Sequence, residues 1–312
     1  MAKLWQLVPE YRERVWGGRR LKADGPPVGE AWIVYEHNRI AAGPWAGHTL
    51  AEAAEAEGEA LLGRAAARTG KRFPLLLKLL DCADWLSVQV HPNDEQATKL
   101  HGPGHFGKTE AWHLLAVEPG ARLIAGVKPD AAPEAVARAI REGSIMDWVQ
   151  YHSVQAGDTV YIPAGTLHAL GPGLFLYEIQ QTSDITYRIY DWGRPASAGR
   201  ELHLEESVMA VNPRLSGDLT PAPRLGADDR EPLVSGEYFS LEVITGATEL
   251  WVSNTGGQSF HALTVVEGAA AVACGTDTVE LKPYESVIVA ADAGEYAVRP
   301  LGACRMLRAW VP

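Results

Sequence analysis

"GDTVYIPAGTLHAL", Gly157 to Leu170, decides how the chain reads. Thr159, Val160, Tyr161 and Ile162 are β-branched or aromatic. They are bounded by Gly-Asp on one side and Pro-Ala-Gly on the other, the pattern of a short strand closed by a tight turn. Pro163 and Gly165 fix that turn, so His168 emerges at a defined place at the start of the next strand. A second stretch, "PYESVIVAADAGEYAV" from Pro283 to Val298, can be laid over Ala156 to Leu170. Ser286-Val287-Ile288-Val289 falls over Thr159-Val160-Tyr161-Ile162, and Glu295 falls where the first copy has His168. Two copies of one barrel unit, one chemically equipped and one degenerate, would produce this; chance likeness of two short strands is the competing explanation.

Most of the chain outward from this stretch has the same texture. "ARLIAGV", "GLFLYEIQQ", "DITYRIYDW", "YFSLEVITG", "ESVIVAA" and "EYAVRP" are short, β-branched or aromatic, and bounded by turn residues. Many short strands at this spacing predict a mainly β sandwich or barrel. Two helices interrupt it. Thr49 with Glu52 forms a capping box ahead of a segment rich in Ala, Leu and Glu, predicting a helix over Leu50 to Ala67 with a break near Gly58. "PEAVARAIREG" predicts a second, from Pro133 to Glu142, ended by Gly143. Proline and polar residues from about Leu215 to Pro232 predict a linker between two β domains.

A chain of 312 residues is long for one core, so one large domain or two smaller ones is expected. The formal net charge of -11 argues against a nucleic-acid surface while leaving room for an anionic small molecule held by a few local cations. The longest apolar runs, such as "PLLLKLL", are too short to span a bilayer, and "MAKLWQLVPE" has no apolar signal core. Cys82, Cys274 and Cys304 are sparse and odd in number, which fits a reducing cytoplasm and argues against a disulfide frame or a thiolate metal site.

The chemistry-bearing candidates begin in "WLSVQVHPND", Trp85 to Asp94. Leu86, Val88 and Val90 alternate with Ser87, Gln89 and His91, so a strand here has one apolar and one polar face. Glu110 in "GKTEAWHLLAV" opens another strand, with Lys108 two residues earlier on the same face. Gln89, His91, Glu110 and His168 offer nitrogen and oxygen donors that suit a borderline divalent ion, zinc first. Taken singly, each has an ordinary reading: a solvated glutamine, a surface carboxylate, a hydrogen-bonded core histidine.

The stretch from Gly157 to His168 fits the second cupin motif, G-x5-P-x-G-x2-H. In order along the chain, "LLKLLDCADWLSVQVHPND", "GKTEAWHLL", "IPAGTLHAL" and "QQTSDITYRIYDWGR" resemble the short bacterial form of type I phosphomannose isomerases. "VWGG" at Val15 to Gly18 and "GEAW" at Gly29 to Trp32 add to the resemblance, which runs over most of Trp5 to Val211 and more faintly beyond. It implies a double cupin: an N-terminal catalytic domain over 1–230 with a helical insertion at about 49–69, and a C-terminal domain over 231–312 without metal. It implies one zinc ion per chain, held by Gln89, His91, Glu110 and His168, and a small sugar phosphate as partner. Arg188 matches the family's active-site arginine. Asp184, Lys108, Lys78 and Ser87 match residues lining its pocket, and Glu30 is retained. After Trp32, where the family usually has an acidic residue, this chain has Ile33.

The implied reaction interconverts mannose 6-phosphate and fructose 6-phosphate through a cis-enediol. A zinc site of amide, two imidazoles and carboxylate stays net positive and retains Lewis acidity. Arg188 could stabilise the oxyanion; Asp184 and Lys108 are candidate proton carriers, and if "DITYRIY" is a regular strand Asp184 and Arg188 share a face. Lys78, inside "PLLLKLL", is either a phosphate or substrate group or the snorkelling lysine of an edge strand. Ser87 could meet phosphate or its own backbone. A cytoplasmic enzyme, monomeric or homodimeric, with no membrane or nucleic-acid partner, is expected. The alternatives are a cupin isomerase for another sugar and a non-catalytic or regulatory sugar-binding cupin.

Overall fold

Strands dominate the computed structural model, which describes residues 3–195 and 200–312. The chain divides into two compact units, Met1–Tyr11 with Ala31–Leu79 and Pro223–Pro312, and Arg12–Glu30 with Leu80–Ala222. Three of the four boundaries fall inside strands, Glu10–Gly18, Val28–Val34 and Leu75–Cys82.

In the second of these units a five-stranded sheet runs in the order Tyr187–Tyr190, Val88–Val90, His168–Leu170, Arg122–Val127, Val149–Ser153. A second sheet contains, in order, Asp218–Thr220, Thr159–Ile162, Glu110–Val117 and Leu174–Gln181. Neighbouring pairs are antiparallel, and their alternation separates the residues by face. Trp112, Leu114, Leu123, Val160, Ile162, Leu174 and Leu176 form one apolar cluster. Val88 and Val90 turn the other way, into a cluster with Ile124, Leu167 and Tyr187 that the helix Pro133–Glu142 covers through Val136, Ala139 and Ile140. Each fully buried side chain of this size contributes about 1.5–3 kcal/mol. With Val88 and Val90 committed to that core, Gln89 must face the opposite side.

The other unit repeats the pattern. A six-stranded sheet, Leu4–Leu7, Ser286–Val289, His261–Glu267, Cys304–Trp310, Ser240–Gly246, Arg230–Ser235, accompanies a four-stranded one, Trp251–Asn254, Glu295–Pro300, Ala270–Cys274, Asp277–Leu281. Leu263, Val265, Val272, Val287, Val289, Tyr296, Val298 and Met306 form its core. The overlay read from the sequence has a counterpart in structure: Thr159–Ile162 and Ser286–Val289 are both strands, and after turns over 163–167 and 290–294 the next strands begin at His168 and Glu295.

The helix expected over Leu50 to Ala67 is three short pieces, Leu50–Glu57, Glu59–Leu62 and Ala66–Thr69. The capping box forms as read. Gly58 breaks the helix with φ of 54°, and Gly63, with φ of 61°, breaks it again. A Cβ on Gly63 would lie 2.5 Å from the Gln258 carbonyl oxygen, so glycine permits that approach. The segment expected as a linker, Leu215 to Pro232, is partly structured. Asp218–Thr220 pairs with Thr159–Tyr161, and the strand Arg230–Ser235 starts before Pro232. Asp158 accepts the Ala222 N–H and holds that stretch.

Candidate metal centre

His168 starts its strand fully buried and directly opposite Gln89. Arg188 lies opposite Gln89 on the other flank. Residues facing each other across antiparallel strands project to the same side, so Arg188, Gln89 and His168 form one row. Glu110, first in its strand, pairs with Ile162 at the end of the strand preceding the Pro-Ala-Gly turn. The turn is tied to the first strand, because the Gly165 N–H donates to the His91 carbonyl at 2.8 Å.

The result is a buried cluster in which donor atoms of His91, Glu110 and His168 all lie within 4.8 Å of one another. Main-chain carbonyls set the tautomers. His91 Nδ1–H donates to Ile185 O and His168 Nδ1–H to Thr166 O, each at 2.8 Å. A carbonyl can only accept, so in the neutral rings both Nε2 atoms carry lone pairs, and both point into the cluster. Burial, the leading influence, lowers the pKa of His168 and keeps that ring neutral. His168 Nε2 is 3.2 Å from Glu110 Oε1, an atom with no hydrogen-bond partner among the described residues. Two acceptors facing each other at that distance call for a cation between them.

One positive group already answers part of this demand. The buried Lys108 ammonium donates to His91 Nε2 at 3.0 Å and to Glu110 Oε2. Burial works against its charge, but Glu110 and Glu178 outweigh it and hold its pKa above the ordinary lysine range. A donor set that accommodates an ammonium, with two imidazole lone pairs and a carboxylate converging, fits a divalent ion of zinc type.

The other expected residues divide into those near the cluster and those elsewhere. Gln89 directs its amide nitrogen at His168 Nε2, 3.2 Å away, while its oxygen accepts from Ser87 Oγ at 3.4 Å. Ligation through Oε1 would take a rotation of that amide. Arg188 is half-buried; it donates to Glu201 O at 2.8 Å, and its Nε has no partner among the described residues. Burial, then the Arg200 charge, lowers its pKa. Glu30 is bound by Arg14 through both carboxylate oxygens at 3.0 and 3.1 Å and acts on Lys108 through its charge.

Asp184 is exposed. Only Tyr187–Tyr190 of "DITYRIY" is a strand, so strand alternation gives no shared face for Asp184 and Arg188. Lys78 is buried in a strand with no exposed residue, so it is not the lysine of a water-facing edge; its ammonium lies 5.2 Å from the centre of the Trp32 ring. Sequence reasoning missed Glu178, Gln180 and Gln181. Glu178 accepts from Trp112 Nε1 at 3.2 Å, and Gln180 pairs opposite Glu110. The signal was an unbroken buried strand, "LFLYEIQQ", with three polar residues among its last four.

A mainly β double-cupin architecture with a buried nitrogen–oxygen cluster at one set of strand ends defines a cupin whose His91, Glu110 and His168 could hold a metal ion. The chain is 32% identical over 311 residues to "Mannose-6-phosphate isomerase ManA" of Bacillus subtilis (strain 168), covering 95% of this chain and 96% of the relative. It belongs to the mannose-6-phosphate isomerase family. Two family descriptions match, "Phosphomannose isomerase type I, catalytic domain" over residues 4–107 and "Mannose-6-phosphate isomerase, cupin domain" over residues 230–311. The crystal structure of the mannose 6-phosphate isomerase from Bacillus subtilis superposes with a TM-score of 0.86 at 31% identity, over 99% of both chains. A zinc-bound mannose 6-phosphate isomerase structure shares the fold with a TM-score of 0.76 at 18% identity, over 99% of this chain and all of the other (100%).

Proposed function

We propose that the chain is a zinc-dependent isomerase that interconverts mannose 6-phosphate and fructose 6-phosphate through a cis-enediol, with one zinc ion held by Gln89, His91, Glu110 and His168. The observation that carries this reading is the pair of histidine lone pairs, fixed by main-chain carbonyls, converging on the buried Glu110 carboxylate, whose Oε1 has no hydrogen-bond partner among the described residues. The family relationship supplies the substrate: relatives of similar length carry the name mannose-6-phosphate isomerase. When bound, the ion supplies Lewis acidity for the sugar carbonyl.

The chain's own groups are assigned as follows. Arg188, in the row with Gln89 and His168, faces the oxygen on which negative charge develops. Lys108 is a buried cation beside that position. Ser87, Lys78 and Glu30 are substrate-binding groups, and Asp184, exposed to solvent, is with Lys108 a candidate proton carrier. The division into a metal-bearing barrel ending near residue 230 and a metal-free barrel after it belongs to the same proposal. So does a cytoplasmic monomer or homodimer with no membrane or nucleic-acid partner; no helix among the described residues is long and apolar enough to cross a membrane.

Metal analysis with a coupled mannose 6-phosphate assay tests the reading. The purified protein should hold close to one zinc ion per chain, lose turnover to a chelator and regain it with zinc. Full turnover after complete metal removal would overturn it.

A further inference from the structure

Glu110 and Lys108 flank Thr109, whose side chain alternates to the opposite side of the strand start. Thr109 is buried, 4% exposed, and touches neither His91 nor His168 through any described contact. Yet its polar atoms are all engaged by segments that lead to the cluster. Its N–H donates to the side-chain oxygen of Gln181 at 2.8 Å, and its carbonyl accepts the Gln181 N–H at 3.1 Å. Gln181 thus answers Thr109 twice, using its own side chain where the sheet ladder has run out beyond Gln180 and Glu110. Thr109 Oγ1 accepts the N–H of Ala164, inside the turn that presents His168, at 3.3 Å. The Lys108 N–H donates to the carbonyl of Pro92, next after His91, at 3.0 Å.

The far side of Gln181 is anchored too. Its amide nitrogen donates to Asp94 Oδ1 at 3.0 Å, which also accepts the Gly107 N–H at 2.7 Å. A Cβ on Gly107 would lie 2.5 Å from the Asn93 carbonyl carbon, so glycine is needed for the loop to close on the helix start. The three segments that carry His91, Glu110 and His168 are therefore joined to one another at Thr109 and Gln181, on the side facing away from the donor atoms.

We infer that Thr109 and Gln181 are positioning residues: they clamp the "GKTE" segment so that Glu110 meets the two imidazoles at ligand spacing. This rests on the zinc-isomerase reading for its consequence in turnover, but not for its consequence in metal binding. Supporting groups of this kind commonly change metal affinity or activity by roughly 10–100-fold.

The experiment uses the full chain, stripped of metal and titrated with cobalt(II), whose visible absorption reports ligand geometry. Thr109→Val keeps the shape and removes the hydroxyl; Thr109→Ser keeps the hydroxyl. Thr109→Val should bind cobalt about 10–100-fold more weakly with an altered visible band, and kcat should fall by a similar factor with KM within about twofold. Thr109→Ser should stay within about threefold of the parent in all of these. Gln181→Met provides an independent check, with the same direction expected, should Thr109→Val not fold. Parent-like cobalt affinity and spectrum in Thr109→Val and Gln181→Met, or equal damage in Thr109→Ser and Thr109→Val, would overturn the clamp. A parent protein that binds cobalt or zinc but does not turn over mannose 6-phosphate would sink the isomerase reading instead, with the clamp still decided by the cobalt titration.

Discussion

The two β units place different residues on the same scaffold positions. In one, Glu110 pairs with Ile162 and the strand after the turn starts at His168. In the other, His261 pairs with Val289 and the strand after the turn starts at Glu295. His168 is fully buried, whereas Glu295 is exposed and Tyr296 takes the inward place. His261 therefore meets the Tyr296 hydroxyl at 2.7 Å, where Glu110 meets imidazole. Nearby, Arg308 pairs with Glu242 at 2.9 Å, bonds Ser253 Oγ at 2.6 Å and stacks beside Trp251 and Trp310. His261, Arg308, Glu242 and Ser253 in this unit thus pair with near neighbours. The polar groups around His168 leave donor atoms facing a common point. What separates the two is convergence: ligand atoms of His91, Glu110 and His168 lie within 4.8 Å of one another, whereas Arg308 pairs with Glu242 and Ser253.

The largest test of that contrast exchanges equivalent positions. Glu110→Ala should abolish stoichiometric zinc and lower turnover by roughly three orders of magnitude or more. His261→Gln, at the matching place, should leave zinc content unchanged and turnover within about twofold; equal loss of zinc from both would end the comparison. Next in size, Arg188→Ala should cost about 10²–10³ in kcat at near-parent zinc occupancy, measured by steady-state kinetics alongside metal analysis. A non-catalytic sugar-binding cupin would have no turnover to lose.

The second unit should reveal itself through pH. Burial first, and the Arg308 charge second, hold the His261 pKa down at about 3. The unfolded chain takes up a proton that the folded state refuses. Stability from this group is complete above about pH 6.5 and is lost as the pH falls toward about 3. Denaturant unfolding between about pH 7 and about pH 5 should show a loss of roughly 2 kcal/mol that His261→Gln removes. An unchanged slope in that variant would mean that burial and the Arg308 charge do not keep His261 neutral. Smallest of all, Glu295→Ala should shift stability by no more than about 0.5 kcal/mol, because an exposed side chain is removed. A larger effect would show that Glu295 matters structurally where His168 matters chemically.

Much of the fold and of the His91, Glu110 and His168 cluster was legible in the sequence where the signals are local. The prolyl-glycyl turn before His168, the alternation around Gln89 and the capping box at Thr49 each depend on neighbours a few residues away. The helix Pro133–Glu142 matches its proline start and glycine stop for the same reason. Features set by distant partners were harder to see. The break at Gly63 answers to Gln258, the strand Asp218–Thr220 exists because Thr159–Tyr161 offers it an edge, and Gln181 acquires meaning only opposite Thr109. Asp184 shows the reverse error: strand alternation was extended through "DIT", where no strand forms. The helix Asp94–His101 was missed although Asn93 and Gln96 make a capping box that could have announced it.

The central claim is that the chain, with a metal ion held by His91, Glu110 and His168, interconverts hexose 6-phosphates by proton transfer between C2 and C1. Turnover of mannose 6-phosphate by the zinc-loaded protein in deuterated water, followed by NMR, tests it most directly. Solvent deuterium should appear at C1 of the fructose 6-phosphate formed, and chelation should stop both the exchange and the product. A zinc-loaded protein that shows neither product nor exchange would contradict the claim.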